Sequence, residues 1–140
     1  MKSGPIIILD DDAEDHQLFE DVLRDLEVEN EILWFKETKE AIHFLRNSPI
    51  QPFIIFSDVN LPGLNGIEFK RRIDEDRQLR KKSIPFVFYS TAVNQEVVNE
   101  AYTQMTVQGF FLKESRYTDI KRTIKAVVEY WTICRHPNAV

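Results

Sequence analysis

One cysteine, Cys134, stands in 140 residues, so no disulfide can close within the chain, and a reducing cytosol is its simplest compartment. Glycine is scarce, with four residues, and no Gly/Ser linker, low-complexity tract or internal repeat divides the sequence. Nowhere do eighteen apolar residues run together, and no long apolar stretch follows Lys2. The expectation is a cytoplasmic protein without a membrane span. An excess of basic charge is missing too: the net charge of -5 and pI near 5.2 argue against a nucleic-acid-binding surface as the main function. His16, His43 and His136 lack metal-ligand spacing, and none reads as a ligand or as a phosphohistidine relay. What remains, 43% hydrophobic residues in a chain of this length, suits one globular domain burying on the order of 70% of its unfolded surface, with no room for a second.

The informative stretch is Phe53-Ile54-Ile55-Phe56-Ser57-Asp58, followed by the turn residues Asn60, Pro62, Gly63, Asn65 and Gly66. An apolar run after Pro52, ended by such a turn, predicts a strand buried on both faces in a parallel sheet, with Asp58 leaving at its carboxyl end. Ile6-Ile7-Ile8-Leu9 is a second apolar strand, and it ends in Asp10-Asp11-Asp12. If the two strands are parallel neighbours, at least three acids converge at one edge. Like charges at about 4 Å repel by roughly 4 kcal/mol per pair at an effective dielectric of 20. Such a cluster calls for a cation, and oxygen-only ligands favour Mg²⁺ or Ca²⁺.

The rest of the chain alternates. Helices are predicted over 13–27, 36–47, 66–76, 95–103 and 117–133, and further strands over 31–35, 86–89 and 109–112. Five strands alternating with five helices define an α/β, doubly wound parallel sheet with helices on both faces. The flavodoxin-like strand order 2-1-3-4-5 is one of two common choices. It puts the topological switch point between the first and third strands, where Asp10, Asp11 and Asp58 would meet.

With Asp10-Asp11 after the first strand, Asp58 after the third, Ser90-Thr91 after the fourth, Lys113 after the fifth and Leu61-Pro62-Gly63 with Gly66 in the intervening loop, the sequence resembles the receiver domain of two-component response regulators over essentially its whole length. The resemblance implies that Asp58 accepts a phosphoryl group from a phosphohistidine on a sensor histidine kinase or phosphotransfer protein. It implies a Mg²⁺ site made by Asp10, Asp11, Asp58 and the backbone carbonyl of Asn60. It gives Lys113 the task of pairing with Asp58 or the phosphoryl oxygens, Ser90 a hydrogen bond to a phosphoryl oxygen, and Phe110 the role of a switch whose rotamer reports the event. Asn60 and Ala92 occupy positions that tune phosphoryl lifetime. The implied protein is a stand-alone regulator, similar to those partnering bacterial phytochromes, with no output domain and a downstream protein target. Its signalling surface is the last two helices and the fifth strand, and a homodimer can also form through the C-terminal helices.

Two features depart from the family pattern. Glu114 follows Lys113 where proline is frequent, which makes a cis bond improbable and puts a carboxylate where it could hold Lys113 back. Phe110 replaces a frequent tyrosine. Two rivals stay open: a Mg²⁺-dependent phosphohydrolase of the haloacid-dehalogenase type, which the Asp10-x-Asp12 spacing fits although the chain is short for a cap, and a phosphorylation-independent binding module, supported by Glu114.

Other residues read structurally. Asp12, Glu14 and Asp15 are expected to cap the first helix or complement its dipole rather than extend the metal cluster. Lys70, Arg71, Arg72, Arg77, Arg80, Lys81 and Lys82 interleave with Asp74, Glu75 and Asp76, the pattern of a solvated helix face and loop. Phe110, Phe111, Tyr117, Tyr130 and Trp131 read first as packing residues, and Cys134 as an ordinary thiol at the end of the last helix.

Overall fold

The computed structural model describes residues 2–91 and 94–137. Short apolar runs and amphipathic segments alternate as β1 (Ile6–Leu9), α1 (Ala13–Asp25), β2 (Ile32–Phe35), α2 (Thr38–Asn47), β3 (Ile54–Ser57), α3 (Gly66–Glu75), α4 (Arg77–Lys81), β4 (Phe86–Ser90), α5 (Gln95–Gln104), β5 (Gly109–Leu112) and α6 (Tyr117–Ile133). All strand pairings are parallel, and the order is β2-β1-β3-β4-β5, the flavodoxin-like arrangement expected. Strand side chains alternate between faces, which divides the core in two. Ile7, Leu9, Ile55, Phe86 and Phe88 pack with Ala41, Leu45, Phe69, Ile73 and Ala101 from α2, α3 and α5. Ile6, Ile8, Ile54, Phe56 and Val87 pack with Phe19, Val22, Leu23, Ile120, Ile124 and Val127 from α1 and α6.

Helix starts follow from short polar side chains that accept from otherwise unpaired N–H groups. Asp12 accepts from the N–H groups of Glu14 and Asp15, Asn65 from Glu68, Asp76 from Leu79 and Asn94 from Val97. The Asp76 cap makes the first correction: there are six helices among the described residues rather than five. The chain after α3 turns at Asp76 into the five-residue α4, which buries Leu79 while its charged residues face outward. One apolar residue among arginines and lysines is too weak a period to separate from a solvated loop.

Three side chains correct the packing expectations. Lys70 is buried rather than solvated: its ammonium pairs with Asp74 at 2.8 Å and sits 5.1 Å from the centre of the Phe86 ring. Burial pushes its pKa down, against the support of Asp74. Tyr130, 62% exposed, and Tyr117 lie at the surface rather than in the core. Phe111 and Trp131 are partly buried against the α1/α6 layer.

Candidate functional site

Register brings the acids together. Leu9 of β1 stands opposite Ser57 of β3, so the next residue on each strand, Asp10 and Asp58, emerges side by side at the carboxyl rim. The Asp58 N–H donates to the Leu9 carbonyl at 2.9 Å, fixing that level. Across the sheet Ser90 of β4 stands opposite Leu112 of β5, and the Lys113 N–H donates to the Ser90 carbonyl at 2.7 Å. The last residues of these strands therefore deliver Ser90 and Lys113 to the same rim. After β3 the chain turns through Gly63, whose φ of +70° suits glycine. It then passes Gly66, where any Cβ would collide with the Asp58 carbonyl. The β3–α3 loop can close this tightly only because residue 66 has no side chain.

Asp58 is held from several sides. Its Oδ1 accepts from the Ser90 hydroxyl at 2.5 Å and from the Asn60 N–H at 3.0 Å, while Oδ2 accepts from Lys113 Nζ at 2.9 Å. Asp10 Oδ1 accepts from the Asp12 N–H at 2.9 Å and Oδ2 from Lys113 at 2.7 Å. Both carboxylates are buried, at 5% and 6% exposure for Asp10 and Asp58. For Asp10 burial is the dominant effect and raises its pKa, despite the Lys113 and Asp12 hydrogen bonds. Burial also works against the Lys113 charge, but the hydrogen bonds and charges of Asp10 and Asp58 prevail and raise its pKa. The lysine is thus a fixed cation at neutral pH.

Asp11 is exposed, and no hydrogen bond or ion pair engages its carboxylate among the described residues. One oxygen from each of Asp10, Asp11 and Asp58 lies within 4.8 Å of the others. An all-oxygen, all-anionic donor set of this span fits a hard divalent cation. The carboxamide of Asn60 donates to the Thr91 hydroxyl at 3.3 Å. Phe110 of β5 packs its ring 5.3 Å from that of Phe88. Ala92 lies outside the described residues.

Asp12 caps α1, so the second acid of the Asp10-x-Asp12 spacing is engaged with backbone. Asp15 does more than complement a helix dipole: its Oδ2 lies 3.0 Å from Lys113 Nζ. Side chains in the first turn of a helix lean toward its N-terminus, and α1 starts three residues after Asp10, so position 15 leans back over the rim. The sequence does place an acid in that turn, a signal that fits a dipole role equally well. Two further neighbours carried no such signal. The Trp34 indole donates to the Asp10 carbonyl at 2.7 Å and stacks on His16 at 4.1 Å. Tyr89 is buried beside the rim in a small cavity shared with Asp10, Asp58, Lys113 and Glu114, and burial raises its pKa. The Lys113 ion pairs run to Asp10, Asp15 and Asp58, with none to Glu114 among the described residues.

A parallel sheet wound in this order, with acids, a hydroxyl and one lysine on a single rim, has the layout of a receiver domain. Residues 6–125 match the family described as response regulator receiver domain, and the chain belongs to that family. It is 26% identical to response regulator Rcp1 of Synechocystis over 90% of this chain and 87% of that protein. The Mn²⁺-bound form of Rcp1 superposes with a TM-score of 0.83 at 25% identity, covering 97% of this chain and 99% of that one. Phosphorylated cyanobacterial phytochrome response regulator RcpA gives 0.85 at 25% identity, covering 96% and 99%. Probable methanogenesis regulatory protein FilR2 of Methanothrix harundinacea is 29% identical over 71% of this chain, a match spanning 65% of that protein.

Proposed function

We propose that the chain is a phosphoacceptor response regulator, taking a phosphoryl group onto Asp58 from the phosphohistidine of a sensor histidine kinase or phosphotransfer protein. The observation that carries this reading is the environment of Asp58: a buried carboxylate gripped by Lys113, Ser90 and the Asn60 N–H, beside two further acids within metal-sharing distance. An Asp58 oxygen forms the new P–O bond as the P–N bond to the donor imidazole breaks. The electron pair leaves with the imidazole nitrogen, which takes up a proton, and the product is an acyl phosphate. Positioning and positive charge on the phosphoryl oxygens are what such transfer needs most. Asp10, Asp11, Asp58 and the Asn60 carbonyl would hold a Mg²⁺ ion, which when bound supplies further positive charge there. Lys113 supplies a fixed ammonium, and Ser90, already hydrogen-bonded to Asp58, is placed to donate to a phosphoryl oxygen.

Once formed, the phosphoryl group offers new acceptors to Ser90 and Lys113. Ser90 ends β4 and Lys113 follows β5, so a pull on either is felt by the neighbouring Phe88–Phe110 packing. Phe110 is the proposed switch residue, and the surface of β5, α5 and α6 the proposed output face. Its partners would be a downstream protein or a second copy of the chain. Similarity to the cyanobacterial phytochrome response regulator RcpA supports a kinase of the phytochrome type as donor.

Incubation with acetyl phosphate and Mg²⁺, followed by intact mass, tests the reading. The natural chain should gain one phosphoryl group, dependent on Mg²⁺, and Asp58→Asn none. An unmodified natural chain would refute it, and steady turnover of a small phosphate ester would point instead to a phosphohydrolase.

A further inference from the structure

Lys113 is more heavily engaged than phosphoryl recognition requires. Its ammonium has three protons, and three carboxylates stand around it: Asp10 at 2.7 Å, Asp58 at 2.9 Å and Asp15 at 3.0 Å. A lysine has no further donor to give. When Asp58 becomes an acyl phosphate its carboxylate charge is lost, so the Lys113 proton it holds can pass to a phosphoryl oxygen as a hydrogen bond. For Nζ to give the phosphoryl group a second hydrogen bond, one of the other two must let go. The three are not equivalent. Asp58 gives up its charge in the step itself, whereas Asp10 is nearly sealed from water, and releasing it would strand a buried charge, which is costly. The Asp15 side chain is 42% exposed, so water can take over its hydrogen bond at little loss.

We infer that Asp15 is the displaceable third partner of Lys113, a positioning residue that parks the ammonium in the unphosphorylated state and competes with the phosphoryl group for it. The inference rests on the phosphoacceptor reading above and deepens it, by naming what the phosphoryl oxygens must displace. Asp15 touches neither the phosphoryl group nor the Asp10–Asp11–Asp58 oxygen cluster; it acts only through Lys113. Its effect is to weaken the phosphorylated form relative to the free form, which sets how readily the switch is thrown. Asp15→Asn keeps the shape but replaces a charged acceptor by a neutral one, leaving a proton of Lys113 available to the phosphoryl oxygens.

Beryllofluoride, a phosphoryl mimic, is the probe. Its affinity is read at saturating Mg²⁺ from the fluorescence of Trp34, whose indole rests on the Asp10 backbone. The natural chain, Asp15→Asn and Glu14→Gln are compared. Glu14 is an exposed acid one residue away that is not paired with Lys113, so it controls for loss of charge alone. Asp15→Asn should bind about fivefold more tightly, the scale of one partly exposed ion pair, and Glu14→Gln should stay within about twofold. A spectroscopic readout in metal-free protein separates positioning from general stability: the Lys113 Cε resonance should shift in Asp15→Asn and stay in place in Glu14→Gln. Unchanged or weaker binding by Asp15→Asn, an equal gain in Glu14→Gln, or an unmoved Lys113 resonance would each overturn the inference. Failure of the natural chain itself to bind beryllofluoride would instead remove the phosphoacceptor reading beneath it.

Discussion

The Lys113 side chain is 13% exposed and pairs with the buried carboxylates of Asp10 and Asp58, which makes it a structural residue in the absence of a divalent ion. Removing one partner of a buried ion pair costs about 3 kcal/mol, because the remaining charges lose their counter-ion. Lys113→Ala should therefore lower stability to urea by about that amount in chelator, and Mg²⁺ should restore most of it, since a divalent ion can neutralise the same oxygens. Urea unfolding with and without Mg²⁺ measures both; equal loss under the two conditions would argue against the acids as the cation site. The pH dependence has a definite sign. The folded-state pKa of Lys113 lies above its ordinary value of 10.5, so the contribution of the ammonium is fully present below 10.5 and is lost as pH rises through the folded value. At this scale the sequence was informative about Asp10, Asp11, Asp58, Ser90 and Lys113, because each is the polar end of an apolar run. It was ambiguous for Asp15, since an acid in a first helical turn serves the helix dipole whether or not a cation lies within reach. Lys70 was misread because a lysine in a charged run gives no sign that its ammonium sits over the Phe86 ring.

Among the elements, the β3–α3 connection has the least tolerance. Gly66 packs its Cα against the backbone of Asp58 and Val59, and its N–H donates to the Val59 carbonyl at 2.9 Å. A side chain there has backbone, not a flexible tip, to push aside. Gly66→Ala should cost about 2 kcal/mol in urea unfolding, within the range for overpacked sites. It should also slow labelling of Asp58 by acetyl phosphate, because the displaced backbone carries the proposed acceptor; labelling at the natural rate would show that the loop can yield without moving Asp58. The alternation of strands and helices was legible because β1, β3 and β4 are buried on both faces and so read as unbroken apolar runs. The extra helix α4 was not, because a single turn that buries only Leu79 leaves no amphipathic period.

For the whole molecule, the two sides of the sheet have different tasks. The layer of α2, α3 and α5 closes over one face, while α1 and α6 cover the other, and α6 presents Tyr130 and the 82% exposed Ile133 at its far end. Large apolar side chains clustered on one exposed helix end fit a contact with another chain. If that chain is a second copy, the double variant Tyr130→Ser, Ile133→Glu should sediment as a monomer where the natural chain sediments as a dimer, with acetyl phosphate labelling of Asp58 unaffected in both. A natural chain that is monomeric before and after labelling would assign the face to a different protein. Order and rim chemistry could be anticipated from where polar residues interrupt apolar runs. The outward turn of Tyr117 and Tyr130 could not, since a helix this amphipathic accommodates an aromatic ring on either flank.

Beyond α6 the chain bends back, and His136 is buried against Phe53, its Nε2 2.7 Å from the Phe53 carbonyl and its ring 5.4 Å from the Phe53 ring. Phe53 is the doorstep of the strand whose other end bears Asp58. A chain shortened after Ile133 would thus lose a foot of the central strand, at the floor of the fold and a full strand length from Asp58. Tags and fusions on that side are best joined beyond Pro137, where the anchoring imidazole keeps its seat.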